Sequence, residues 1–539
     1  MQPMLIFRKL FSPAFWCLMA MLTQTNAQVS QKPAETPVSG ISPAYRERYR
    51  PQFHFTSPRN WINDPNGLVH YKGEYHLFYQ HNPFGDKWGH MSWGHAVSKD
   101  LLHWQHLPVA IPENPAGFMI FSGTVVVDSE NTSGLSNSKN PSDKSCLVAV
   151  YTAHSGSEKP QKQHLAYSND RGRTWTQYAR NPVLDVAKKD FRDPKIFRYH
   201  NRWIMVVALP TEHKVSFYES ADLLKWTYLS DFGPEGKTDE IWECPDLYEL
   251  PVEGHANGLK KWVLQVSTQS SMQYFTGDFD GKTFRNDNPK ETILRLDYGP
   301  DMYAAITYNN PPDNRRISLG WMNSWQYPDG PTSPWRGAMT VPRTHTLQSF
   351  PEGIRLIQKP IVELNALRTN MLSMKNTTLE QVNAMIRERR IRSKTVEIIV
   401  ELEPKSAADI GLLVRKSNSE ETRVGFQTAD STLFVDRTKS GDVAFNPKFP
   451  GRYSTKLAPV NGRIKLRILV DWSSVEVFGN DGLKALTCLV FPQPDSDGIE
   501  LYADKSNVKV FSLDIWELQS VWKTHSKAAT SAGKKPKAK

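Results

Sequence analysis

The same local device recurs four times along one stretch of the chain: a β-prone run closes in a short acidic turn, and an aromatic residue opens the next run. Ser98-Lys99-Asp100 leads to Trp104, and Ser168-Asn169-Asp170 leads to Trp175. Ser220-Ala221-Asp222 leads to Trp226, and Asp278-Phe279-Asp280-Gly281 leads to Phe284. The starts lie roughly 50–70 residues apart, which suits a four-stranded propeller blade. Chance likeness of β-turns is the competing account, and four ordered copies weigh against it. Apolar and aromatic runs at 75–79, 124–127, 147–151, 203–208 and 262–266 alternate with Asn, Asp, Gly and Pro. No long helical period interrupts them, so residues 45–347 read as an all-β propeller.

A chain of 539 residues is too long for one compact core. Between about 348 and 394 the pattern changes, and this segment reads as a linker with a short helix over 380–392. Residues 395–520 again hold β-runs with strict alternation, as in Val475-Glu476-Val477-Phe478. That is the pattern of half-buried strands in a β-sandwich. The first 27 residues read as a signal peptide: Arg8 and Lys9, a short apolar stretch, then Thr25-Asn26-Ala27 as a small-x-small cleavage site. Residues 28–44 form a polar, Pro-rich leader. No later segment approaches 18 apolar residues, so no membrane insertion is expected, and the chain should be exported to a periplasmic or extracellular space. Net charge is +10, partly from Lys523, Lys527, Lys534, Lys535, Lys537 and Lys539. Because this charge is a tail (521–539) and not a stripe across a fold, a solvated end is expected and no nucleic-acid partner. After cleavage Cys146, Cys244 and Cys488 remain, which is neither a disulfide framework nor a zinc site.

Three acidic motifs carry the chemistry: Trp61-Ile62-Asn63-Asp64-Pro65-Asn66-Gly67, Phe191-Arg192-Asp193-Pro194 and Trp242-Glu243-Cys244-Pro245-Asp246. Each alone is ordinary. Asn-Asp-Pro-Asn-Gly is a turn, Arg beside Asp is a salt bridge, and a lone Glu after Trp says little. Read together, three acids sit between an aromatic and a proline. They belong to three different blades, whose innermost strands converge on one axis. The many His residues have irregular spacing and aromatic neighbours, so they read as satisfied side chains and not metal ligands. Cys244 lacks the partners of a cysteine nucleophile.

These segments resemble the signatures of glycoside hydrolase family 32, the invertase, inulinase and levanase family. Phe78-Tyr79-Gln80, Trp88-Gly89, Trp93-Gly94-His95-Ala96, Phe121-Ser122-Gly123, Gly320-Trp321-Met322 and 335–343 match further, over about 45–518. The resemblance implies a five-bladed β-propeller followed by a C-terminal β-sandwich. It also implies retaining hydrolysis of β-fructosides such as levan, inulin or sucrose. A fructosyl transition state resembles an oxocarbenium ion. It needs a carboxylate on one face, assigned to Asp64, and an acid beside the leaving oxygen, assigned to Glu243. A retaining pair lies about 5–5.5 Å apart. Glu243 should be protonated near neutral pH. Asp193 is expected to bind the fructosyl hydroxyls, with Arg192 holding it ionised. Asn63, Gln80, Trp88, Phe121, Ser122 and Trp321 are carried over as the fructose pocket, with Trp325 as the alternative to Trp321. No cofactor or metal is implied; the expected partner is a fructose-containing oligo- or polysaccharide. An exo-acting fructanase leads. An invertase, an endo-acting enzyme, a fructosyltransferase and a sugar-binding protein on a dead propeller are the alternatives.

Overall fold

The computed structural model describes residues 45–522 apart from 116, 256, 406, 506 and 507. The expected signal peptide and leader lie outside the described residues, as does the basic tail from 523 onward.

Five blades of mainly antiparallel strands follow one another from Asn60 to Pro360, the fourth and fifth joined where Val252–Glu253 pairs in parallel with Leu347–Gln348. Their first strands are Asn60–Tyr71, Met119–Asp128, Arg192–Tyr199, Glu243–Glu253 and Tyr303–Thr307. Each first strand packs against the next, and the fifth packs against the first, so the five close a ring around one axis. Two further contacts fasten the ring. Trp335–Arg336 pairs in parallel with Asn60–Trp61 at the edge of the first blade. Asn309 bridges to Val69, and its amide donates to Val125 O at 2.9 Å and to Ile196 O at 3.1 Å on two other inner strands.

The repeated acidic turn lies between the third and fourth strands of its blade. In three blades the serine hydroxyl bonds the aspartate: Ser98 to Asp100 at 3.0 Å, Ser168 to Asp170 at 2.8 Å, Ser220 to Asp222 at 3.1 Å. The following tryptophan closes each turn by donating Nε1–H to the backbone carbonyl of Leu101, Gly172 or Leu223, at 3.1 Å in every case. In the fourth blade Asp280 accepts from the backbone amides of Lys282 and Thr283. The device therefore caps orphan amides of one hairpin turn and anchors it by the next strand's aromatic ring.

The segment 348–394, expected as a linker, contributes to both neighbours. Gly353–Pro360 is the outer strand of the fifth blade, paired along its length with Arg343–Phe350. Arg368–Thr378 is the edge strand of a six-stranded sheet, paired with Lys509–Leu518. The helix runs over Leu379–Glu388, starting one residue earlier and ending four residues earlier than expected, where the Arg-rich stretch begins. The six-stranded sheet faces a five-stranded one, and the two bury a shared aliphatic core that includes Val400, Leu412, Val424, Ile468 and Leu513. Val521 and Trp522, expected at the start of the tail, pack back on the molecule: Trp522 donates to Pro51 O and stacks on Tyr45. Among the described residues no helix is long and apolar enough to cross a membrane.

Candidate active site

All five inner strands carry one extra residue at the same level. The pairing of each with its second strand slips between Ile62 and Pro65, between Ile120 and Gly123, opposite Val206 and Ala208, between Glu243 and Asp246, and between Tyr303 and Ile306. A bulge of this kind bends its strand and re-aims a side chain that strict alternation would place elsewhere. Asp193, Cys244 and Ala304 adopt positive φ within these bulges (64°, 48° and 52°), a conformation held at a cost for residues other than glycine. The bulged positions lie at the starts of the inner strands, so they share one mouth of the ring. Asp64, Ser122, Asp193, Glu243 and Tyr303 come from five different blades to that mouth.

The acids are interlinked. Asp64 is buried; its Oδ2 accepts from Ser122 Oγ at 2.6 Å and its Oδ1 from Asn63 Nδ2 at 3.0 Å. Asn63 is itself held by Trp61 Nε1 at 2.7 Å. The Cys244 thiol lies 3.5 Å from Asp64 Oδ2 and 3.6 Å from Asp193 Oδ2, and the Cys244 amide donates to Asp193 Oδ2 at 3.0 Å. Glu243 accepts from Arg192 Nε at 3.0 Å and from the Tyr303 hydroxyl at 2.5 Å. The expected support of Asp193 by Arg192 takes a different form. The guanidinium bonds Glu243 and Asp190 (Nη1 at 2.8 Å), because Asp193 turns into the ring while Arg192 points back across to the fourth blade. Arg192 acts on Asp193 only through its charge, and it does not win. Burial first, then the charge of Glu243, push the Asp193 carboxyl up to about 7. Burial likewise raises Asp64, against the pull of the Ser122 hydroxyl. Burial and the flanking carboxylates push the Cys244 thiol well above its usual range, which keeps it a neutral donor.

The expected pocket residues fall into two groups. Asn63 and Ser122 touch Asp64 directly. Gln80 acts behind them: with the Asn66 amide turned to satisfy its neighbours, Gln80 Nε2 donates to its carbonyl at 3.0 Å and its NH2 donates to Ser122 Oγ at 3.2 Å. Phe121 stacks on His154 at 4.3 Å and meets the edge of Trp88 at 6.2 Å; Trp88 is 46% exposed. Trp321 has no exposed surface. It packs between Trp61 and Trp325, and Trp325, 4.9 Å from it, is the ring that reaches solvent. Tyr303 and Asp190 touch the acids or their partner without having been singled out in the sequence. For Tyr303 no motif marks Met302-Tyr303-Ala304, and only the bulge turns its hydroxyl to Glu243.

Beneath the acids the axis is filled. Lys195, Asp246 and Thr307 are buried one step further along their strands. Lys195 Nζ donates to Thr307 O, and Thr307 N and Oγ1 donate to Asp246 at 2.6 and 2.8 Å. Gln265 donates to Ala305 O at 2.6 Å. The acids therefore sit at one mouth of the ring, above a filled axis. Such a site, with a hydroxyl-held carboxylate on one wall and a carboxyl held by Arg and Tyr on another, can perform displacement at an acetal carbon.

Sequence models of the N-terminal and C-terminal domains of glycosyl hydrolases family 32 match residues 54–360 and 363–517. The chain is 49% identical over 497 residues to a levanase of Bacillus subtilis (strain 168), covering 89% of this chain and 72% of that one. It superimposes on the crystal structure of exo-inulinase from Aspergillus awamori with a TM-score of 0.81, at 35% identity, covering 89% and 100% of the two chains. A fructofuranosidase of Schwanniomyces occidentalis complexed with fructosylnystose gives a TM-score of 0.78, at 31% identity over 89% and 99%.

Proposed function

The chain belongs to glycosyl hydrolase family 32 and is a β-fructosidase acting on fructose-containing saccharides, and from that premise we propose an exo-acting, retaining fructanase. The observation that supports the exo reading is the closed axis: the acids sit at one mouth of the ring, and Lys195, Asp246 and Thr307 fill the axis beneath them. Levan is the polymer we assign first, in line with the levanase of Bacillus subtilis. The signal peptide read in residues 1–27 and relatives named extracellular exo-inulinase support action outside the cytoplasm.

In this reading Asp64 attacks the anomeric carbon of the terminal fructosyl unit, poised by Ser122 and Asn63. Glu243 gives its proton to the departing oxygen, then takes one from the water that releases fructose. Asp193 accepts from the fructosyl hydroxyls and offsets the positive charge of the transition state. Arg192 and Tyr303 position Glu243. Gln80 supports the wall behind Ser122, while Phe121, Trp88 and Trp325 line the mouth.

Chromatography of the products from levan, inulin and sucrose tests this. Free fructose as the first product of a polymer is the expected result, with levan the faster. Oligomers appearing before fructose would make the enzyme endo-acting, and turnover of sucrose alone would make it an invertase. Asp64→Asn should lower kcat by about 10⁴-fold or more, as loss of a nucleophile does.

A further inference from the structure

The loop 82–92 joins the second and third strands of the first blade, so it rises from the same mouth as the acids. It is tied down at many points. Trp61 N donates to Gly85 O at 3.0 Å, and Asn60 Nδ2 to Pro83 O at 2.7 Å, both on the strand that bears Asp64. Asn82 bonds Phe84 N at 2.9 Å and Lys87 O at 2.8 Å, closing the loop on itself. Arg336 holds Asp86 at 2.9 Å. Yet this fastened loop presents two large apolar rings to solvent: Phe84 is 68% exposed and Trp88 46%.

A single exposed aromatic is ordinary. Here two stand four positions apart on a fastened loop at the mouth that holds the acids, and one of them meets a ring beside the site. Trp88 meets Phe121 at 6.2 Å, and Phe121 adjoins Ser122, the hydroxyl on Asp64. Phe84, on the same loop, is edge-on to His90 at 5.3 Å, and His90 is held by Glu113 at 2.8 Å. Because the axis beneath the acids is closed, every sugar beyond the terminal fructosyl unit must leave through the mouth, of which this loop is one wall. Aromatic faces take the apolar C–H faces of sugars, and a ring already fixed loses little freedom on binding.

We propose that Phe84 is a specificity-determining residue, which with Trp88 forms a stacking platform for the leaving-group side of a polymeric β-fructan. The inference rests on the exo-fructosidase reading above. Sucrose offers only one unit past the scissile bond and stops at Trp88, whereas a fructan continues to Phe84.

The test compares kcat/KM for levan and for sucrose in the full chain and in Phe84→Ala and Phe84→Tyr. In Phe84→Ala the levan-to-sucrose ratio should fall by about tenfold, mainly through KM for levan, as loss of one stacked ring predicts. Phe84→Tyr should restore it to within about twofold. A parent enzyme that releases nothing from levan, inulin or sucrose overturns the functional reading itself. An active parent whose ratio is unmoved in Phe84→Ala overturns the platform alone, as does an equal loss on both substrates.

Discussion

Asp64, Asp193 and Glu243 crowd one mouth with a neutral thiol between two of them. Carboxyls so close titrate as a group, and their apparent pKa values belong to the cluster. With Asp193 raised to about 7, the cluster retains a proton to near neutrality. Asp64 is raised too, so its ionisation comes above the ordinary aspartate range, about 4. The profile of kcat/KM against pH should be a bell whose acid limb lies above that range and whose alkaline limb falls near pH 7. Removing the Tyr303 hydroxyl by Tyr303→Phe takes from Glu243 one of the two donors that position it, so kcat should fall by about 10- to 100-fold. An unchanged kcat would separate Tyr303 from the proton transfer. Asp193→Asn should act on stability in the opposite sense to activity. The folded protein binds that proton more tightly than the unfolded chain, so the group's contribution declines as pH rises from about 4 to about 7. At pH 8 the variant should be more stable by about 4 kcal/mol in urea titrations, although far less active. The three acids were legible because each sits in a motif with a flanking aromatic and proline. Tyr303 was not, since a lone tyrosine in a β-run has no local mark.

At the scale of elements, the sequence spoke clearly where a turn needs a particular side chain. Ser-x-Asp followed by Trp was legible because the serine and the indole N–H each satisfy a backbone group and the aspartate satisfies two. The five bulges were not legible, because an inserted residue breaks alternation without demanding any residue type; Asp193, Cys244 and Ala304 hold positive φ with ordinary side chains. Gly353–Pro360 and Arg368–Thr378 were missed as strands for a related reason. Both pair on one edge only or face solvent, so they mix charged with apolar residues. The helix between the sheets has a local signature: Thr378 Oγ1 accepts from Gln381 N, and the Gln381 side chain accepts from Thr378 N. This reciprocal cap satisfies two amides at the helix start. Thr378→Ala should therefore lower stability by about 1 kcal/mol. Activity should be retained, because the helix packs on the sandwich strands and not at the mouth. A loss of kcat/KM alongside the stability change would show that the sandwich bears on the pocket.

At the scale of the molecule, one buried ionic network spans the boundary between propeller and sandwich. His54, just before the first blade, is fully buried between two sandwich carboxylates, Asp471 at Nδ1 and Glu476 at Nε2, each at 2.8 Å. Glu476 also accepts from Arg343 at 2.7 Å, and Arg343 reaches Asp297 at 2.9 Å, both on the propeller side. Arg437 of the sandwich likewise bonds Asp301 and Tyr327. Charges removed from water on both sides bind each other or remain costly, so parting the two units would expose several uncompensated ions. The two should unfold in one transition, and His54 should set its dependence on pH. Burial opposes the imidazolium, but Asp471 and Glu476 outweigh it and raise His54 to about 9. The folded state thus keeps a proton that the unfolded chain sheds near pH 6.5. The stabilisation is full below about 6.5 and fades as pH climbs through about 9, a loss of about 3 kcal/mol by linkage. Guanidinium titrations from pH 6 to 10 should show the decline, and His54→Gln should begin less stable and flatten it. A variant as steep as the parent would move the slope to other groups, and two separate transitions in the parent would show that the network does not couple the units.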